Sequence, residues 1–186
     1  MSTNELSTPL TDHSAILAEE NTIVFPSFTS EDAFNLGCLL KRRIPEILPQ
    51  GPPAAIHISL ATGGGNVLFH AVTSTASTSS YISPDNDIWV QRKKETVMRW
   101  GCSTYALHFK FNGLKTQEDV HNFDIRFGKE NLSKYCLFGG GFPVRVRDVE
   151  GVVAVIVVSG LKHFEDHGVI VKVVKEYLDG QKQFKK

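Results

Sequence analysis

The run GVVAVIVVSG at 151–160 constrains this chain more than any other stretch. From Val152 to Val158 every residue is apolar, and all but Ala154 are β-branched. Seven residues fall far short of a bilayer, and the branching suits a strand covered on both faces, which places it at the centre of a sheet. Just upstream, Val144 and Val146 alternate with Arg145 and Arg147, the pattern of a strand with one wet face, and DVEG (148–151) supplies a tight turn between the two.

Further strands lie nearer the start. AIHISL (55–60) alternates, and NVLFHAV (66–72) follows it across ATGGG, so the pair reads as a hairpin on which His57 and His70 face each other as a cross-strand polar pair. Ser/Thr-rich residues 73–80 read as a loop. A helix is expected from a Ser30 cap, with Glu31 and Asp32 in its first turn and Phe34, Leu36, Leu40, Ile44 and Leu48 on its apolar side; Pro49, Gly51, Pro52 and Pro53 stop it. A last helix over 163–179 turns Phe164, Ile170, Val171, Val174, Tyr177 and Leu178 to one side. STYALHFKF (103–111) fits a strand or a short helix, and 112–134 is a polar stretch without assignment. No strand–helix–strand rhythm repeats, which argues for an antiparallel sheet with helices packed on it, an α/β fold of the α+β kind. Residues 1–25 are polar and weakly patterned, with at most a short helix at 15–20, and are expected to be a flexible N-terminal arm on a single domain over 26–186.

Composition removes several functional classes. Lys plus Arg equals Asp plus Glu at 20 each among 186 residues, so no global field draws in nucleic acid. The three cysteines, Cys38, Cys102 and Cys136, are odd in number and far apart, unlike a disulfide framework or a zinc finger. No basic-then-apolar leader opens the chain and no apolar run inserts into a membrane, so a cytoplasmic protein with reduced thiols is expected.

SPDNDIWVQRKKE (83–95) is the stretch that invites a functional reading. Ser83 as cap, Pro84 at the first helical position and Asp85 and Asp87 in the first turn account for its acidic half as the start of a helix running to Trp100, which Gly101 ends. On the helical wheel, Trp89, Val90, Thr96, Val97 and Trp100 share one arc and Arg92, Glu95 and Arg99 the other. Lys93 falls inside the apolar arc. Three outcomes are open to it, in this order of preference: its ammonium snorkels out at the edge, it meets a buried carboxylate, or it points into a pocket that holds an anion. Arg92 and Lys94 share no face with it, so the trio is no phosphate-tracking stripe.

The remaining constellations are weaker. His163 and His167, four apart on the last helix, have the spacing to grip a metal, but HFEDH is not HExxH and no third ligand is evident, so core or interface histidines are favoured. His108 suits an axial haem ligand on residue type alone. TGGGN (62–66) and GGGF (139–142) match no phosphate-binding fingerprint and read as turns or close backbone passages; Ser159 is not within GxSxG.

Taken together, DNDIWVQRKKETVMRWG, GGGFPVRV with GVVAVIVVSGL, and EDH at 165–167 resemble the haem-degrading-domain family, the group similar to HbpS and GlcG. The resemblance covers about residues 28–180. It implies a profilin-like fold assembled into symmetric homo-oligomers, and it tips 103–111 toward a second short helix. Asp85, Asn86, Asp87, Trp89, Arg92 and Lys93 match the first motif, and Gly139, Gly140, Phe142, Pro143, Ser159, Gly160, Glu165, Asp166 and His167 the later ones. From these, Asp85, Trp89, Arg92, Lys93, Gly140, Phe142, Ser159 and His167 are the candidate ligand-binding residues, with His163 and His167 the metal candidates. Haem is a cofactor only by the resemblance. The expected function is a non-catalytic homo-oligomer binding protein partners or a small anionic ligand at a subunit junction; the rivals are a haem-binding or haem-degrading protein, an enzyme acting on a small organic acid, and an interaction scaffold.

Overall fold

The computed structural model describes residues 4–62, 65–74, 81–129 and 133–184. Four strands, β1 (Ala55–Leu60), β2 (Val67–Val72), β3 (Gly141–Val144) and β4 (Ala154–Ser159), form one antiparallel sheet in the order β2-β1-β4-β3. Six α-helices surround it among the described residues: α1 (His13–Thr22), α2 (Ser30–Ile47), α3 (Asp85–Trp100), α4 (Thr104–Lys110), α5 (Gln117–Phe127) and α6 (His163–Phe184). This is the α+β class expected.

Strand β4 is the inner, doubly covered strand that its continuous branching requires, with all six residues buried. Its Ile156 and Val158 face a core built with α2 and α6, together with Ile56, Ile58, Phe142 and Val144. Val155 and Val157 face the other way, toward Ala55 of β1 and Val90 and Val97 of α3. The hairpin pairs Ala55 with Val72 and His57 with His70 and is broken by a bulge at Ile58/Ser59. Helix α3 lies over β4 and β3, leaving β2 an open edge.

Several expectations are corrected. Thr29, not Ser30, caps α2 through a reciprocal capping box with Asp32. Phe34 is 53% exposed, packed edge-on to Phe69 of β2, while Ala33, Gly37 and Ile47 join Leu36, Leu40 and Ile44 on the buried side. The segment expected to be a loose arm contains α1, capped by Asp12, with Ile16 fully buried. His13 Nδ1 donates to the Ala106 carbonyl at 2.8 Å, and Glu20 accepts from Ser103 N at 3.0 Å. Ile23 and Phe25 enter the main core. A few well-spaced apolar side chains suffice for this docking, and a polar average hides them.

The strand expected through Val146 stops at Val144; Val146 instead forms a parallel bridge with Phe25. The Arg145 guanidinium bonds the Gly101 carbonyl. Asp148 turns the chain with a φ of +61°. The unassigned stretch 112–134 holds a 3-10 turn at Asn112–Leu114 and then α5, whose Thr116/Asp119 capping box and buried Phe123 are the signals that a polar average obscured. Within 103–111 the chain forms the helix α4, Thr104–Lys110, capped by Ser103. Helix α6 runs on to Phe184, five residues past its expected end, and also buries Val169 and Val173. The loop read at 73–80 lies, from residue 75 on, outside the described residues.

Candidate functional site

Helix α3 positions Lys93, and the reason its side chain stays inside lies on α6. Lys93 is 3% exposed; its Nζ donates to Asp166 Oδ2 and to the Val158 carbonyl, each at 2.9 Å. The buried carboxylate is therefore the realised outcome, and snorkelling, first in the order of preference, is overturned. Asp166 sits in the first turn of α6, where the helix dipole favours an anion, and its Oδ1 also accepts from Leu161 N at 3.1 Å. Burial pushes the Asp166 carboxyl up, to about 6, against the pull of the Lys93 ammonium and the backbone donors. It is still ionised at neutral pH.

Gly140 makes room for this pair. Its φ is +112°, and a Cβ there would run into the Val158 carbonyl and stand 2.7 Å from Lys93 Nζ. The close backbone passage expected of GGGF is realised at this glycine.

Beside the pair opens a cavity of about 560 Å³, lined by Asn86, Trp89, Phe138, Ser159 and His163 among others, with Lys93 and Asp166 in its wall. Trp89 and Phe138 meet edge to face at 5.9 Å across it, and Phe138 is 50% exposed. Lys162 stands at the rim, its side chain 72% exposed and loosely paired with Glu165 at 3.8 Å.

Of the candidate residues, Trp89, Lys93 and Ser159 thus come together at one cavity. Arg92 does not line it: its Nε and Nη2 donate to the Tyr135 carbonyl while its guanidinium covers the Trp89 ring, fixing that indole. Asp85 is exposed at the start of α3. Phe142 is fully buried in the main core. His167 lines a different cavity of about 870 Å³, between residues 4–10 and α6, and its ring stacks on Tyr105 at 4.4 Å. Phe138 and Lys162 were not among the candidates; an exposed aromatic and a lone lysine leave no mark on sequence pattern.

His163 and His167 share one side of α6 but do not converge. His163 packs against His108 at 4.6 Å, with Tyr105 and Phe138 nearby. The Nδ1 atoms of His163 and His167 are both enclosed and have no hydrogen-bond partner among the described residues. Burial drives the His167 imidazole down to about 3 and holds those of His163 and His108 below the usual range. His108 Nδ1 donates to the Leu137 carbonyl. Among the described residues, no three His, Cys, Asp or Glu side chains converge as a metal site would require.

The fold and much of the sequence have known counterparts. A UPF0303 protein of Streptomyces avermitilis is 34% identical over 166 residues, covering 87% of each chain. The crystal structure of the Ybr137w protein superposes with a TM-score of 0.76 at 30% identity, over 91% of this chain and 88% of the other. HbpS, at 18% identity, shares the fold with a TM-score of 0.53, covering 80% of this chain and 89% of its own. A family model described as "Haem degrading protein HbpS-like" matches residues 28–175, and by that match the chain belongs to the HbpS-like haem-degrading family.

Proposed function

We propose that this protein is a non-catalytic, cytosolic homo-oligomer that takes a small anionic ligand with a flat apolar body in the cavity beside Lys93, at a junction between copies. The observation that carries the reading is the closure of the cavity's charged wall on itself. Lys93 is satisfied by Asp166 and the Val158 carbonyl, so neither side chain stands ready to move a proton or attack a substrate. What remains open to a ligand is the Trp89–Phe138 ring pair and the Lys162 ammonium. Half-exposed Phe138 and Trp89 at the mouth support a neighbouring copy covering them. Three unpaired cysteines, two of them buried, support a reducing compartment. Among the described residues no helix is long and apolar enough to cross a membrane.

The family description raises haem as a second reading. An axial ligand needs an imidazole nitrogen offered to open space; the Nδ1 atoms of His163 and His167 are enclosed and that of His108 is taken by the Leu137 carbonyl. Haem would therefore have to be held through the Nε2 of His163, which lines the cavity, or of His108.

Size-exclusion chromatography with light scattering, combined with a titration of anilinonaphthalene sulfonate, tests the proposal. The expected result is a mass that is a multiple of 20.6 kDa and a saturable fluorescence rise that Trp89→Ala and Lys162→Ala both weaken, Lys162→Ala without changing the mass. A monomer, or dye binding indifferent to both variants, overturns it. A haemin Soret shift lost on His163→Ala moves the assignment to haem.

A further inference from the structure

The hairpin carries a second, unrelated constellation. His57 of β1 and His70 of β2 are direct cross-strand partners, and their Nδ1 atoms face each other at 3.3 Å. We propose that these two imidazoles clamp a borderline transition-metal cation, of the Zn²⁺, Cu²⁺ or Ni²⁺ class, at the open edge of the sheet.

Two observations support the clamp. First, the spacing fits a shared metal. At the ~2.0–2.1 Å usual for metal–imidazole bonds, nitrogens 3.3 Å apart subtend roughly 107° at the ion, near the tetrahedral angle. Second, the tautomers suit ligation. Asp87 Oδ1 stands 3.6 Å from His70 Nε2, beyond hydrogen-bond range, and its charge attracts the proton to that nitrogen; with the proton there, the Nδ1 lone pair faces His57. His57 Nε2 is enclosed without a partner whether or not it carries the proton, so moving the His57 proton there to free Nδ1 creates no new orphan.

The charges nearby are mixed: Lys94 opposes a cation and Asp87 favours one. No third protein ligand stands with the pair among the described residues, so water fills the remaining positions. His70 is the accessible partner, its side chain 42% exposed on the edge strand, so the ion enters from that side.

The test uses untagged full-length protein with Zn²⁺ in calorimetry and Cu²⁺ in electron paramagnetic resonance. One site per chain is expected, with nitrogen couplings from two imidazoles. His70→Ala, at an exposed position, is expected to weaken Zn²⁺ affinity by about tenfold or more, while His121→Ala leaves it unchanged. His70→Ala that binds as the parent does, coupling from a single nitrogen, or no saturable site at all overturns the proposal. None of these outcomes depends on the cavity beside Lys93.

Discussion

A lysine on an apolar arc is a demand for a partner. The helical wheel made that demand visible for Lys93, but not who meets it, because Asp166 lies 73 residues further on and no local pattern links the two. Chemistry narrows the choice to a carboxylate and the fold selects one. Breaking such a pair costs more than the pair contributes, since the survivor is left charged and buried. Asp166→Asn is therefore expected to lose about 3–5 kcal/mol in urea denaturation, and Lys93→Met with Asp166→Leu to recover most of it. A double variant as unstable as the single one would mean that Asp166 acts mainly through its backbone contacts.

At the scale of elements, legibility followed periodicity. The branched run of β4, the hairpin alternation, and the acidic first turn and Gly101 stop of α3 each act through neighbours close in sequence, and each was readable, whereas the expected Ser83 cap gives way to Pro84 at the cap position with no side-chain cap bond. Helix α5 was not readable, and of α1 only a short stretch at 15–20 and none of its docking, because each rests on very few apolar residues whose burial comes from distant chain: Ile16 packs with Tyr105 and Ala106, and Phe123 with Trp100 and Phe111. Tertiary contact, not propensity, holds such helices. Ile16→Ala is expected to destabilise the domain by about 2–5 kcal/mol, the range for a fully buried aliphatic side chain. A cost near zero in thermal or urea unfolding would show that α1 undocks without consequence and would restore the loose-arm expectation.

For the whole molecule, acid stability is set by imidazoles kept neutral inside. His57 and His167 titrate at about 4 and about 3 in the fold, below the ordinary 6.5, so the unfolded chain binds more protons between those values. Their contribution is complete above about pH 6.5 and is lost as pH falls toward the folded values. Asp166 works in the opposite sense, its carboxyl raised to about 6, and returns part of the loss below that pH. At about 1.36 kcal/mol per unit the net effect is a loss of about 3 kcal/mol by about pH 4.5, measurable as a falling urea midpoint. A midpoint level from pH 6.5 to 4.5 would contradict the enclosed state of both rings. The candidate cavity was the least legible feature, because Trp89, Phe138, Ser159 and Lys162 come from three separate segments that meet only in the folded chain. One further consequence follows from the two ends of the sheet being unlike. Strand β3 is four residues long and includes Pro143, which has no amide hydrogen to offer, while β2 carries six residues on a margin that no other described strand pairs. Among the described residues strand addition therefore favours the β2 side, and two copies meeting there would each bury the better template.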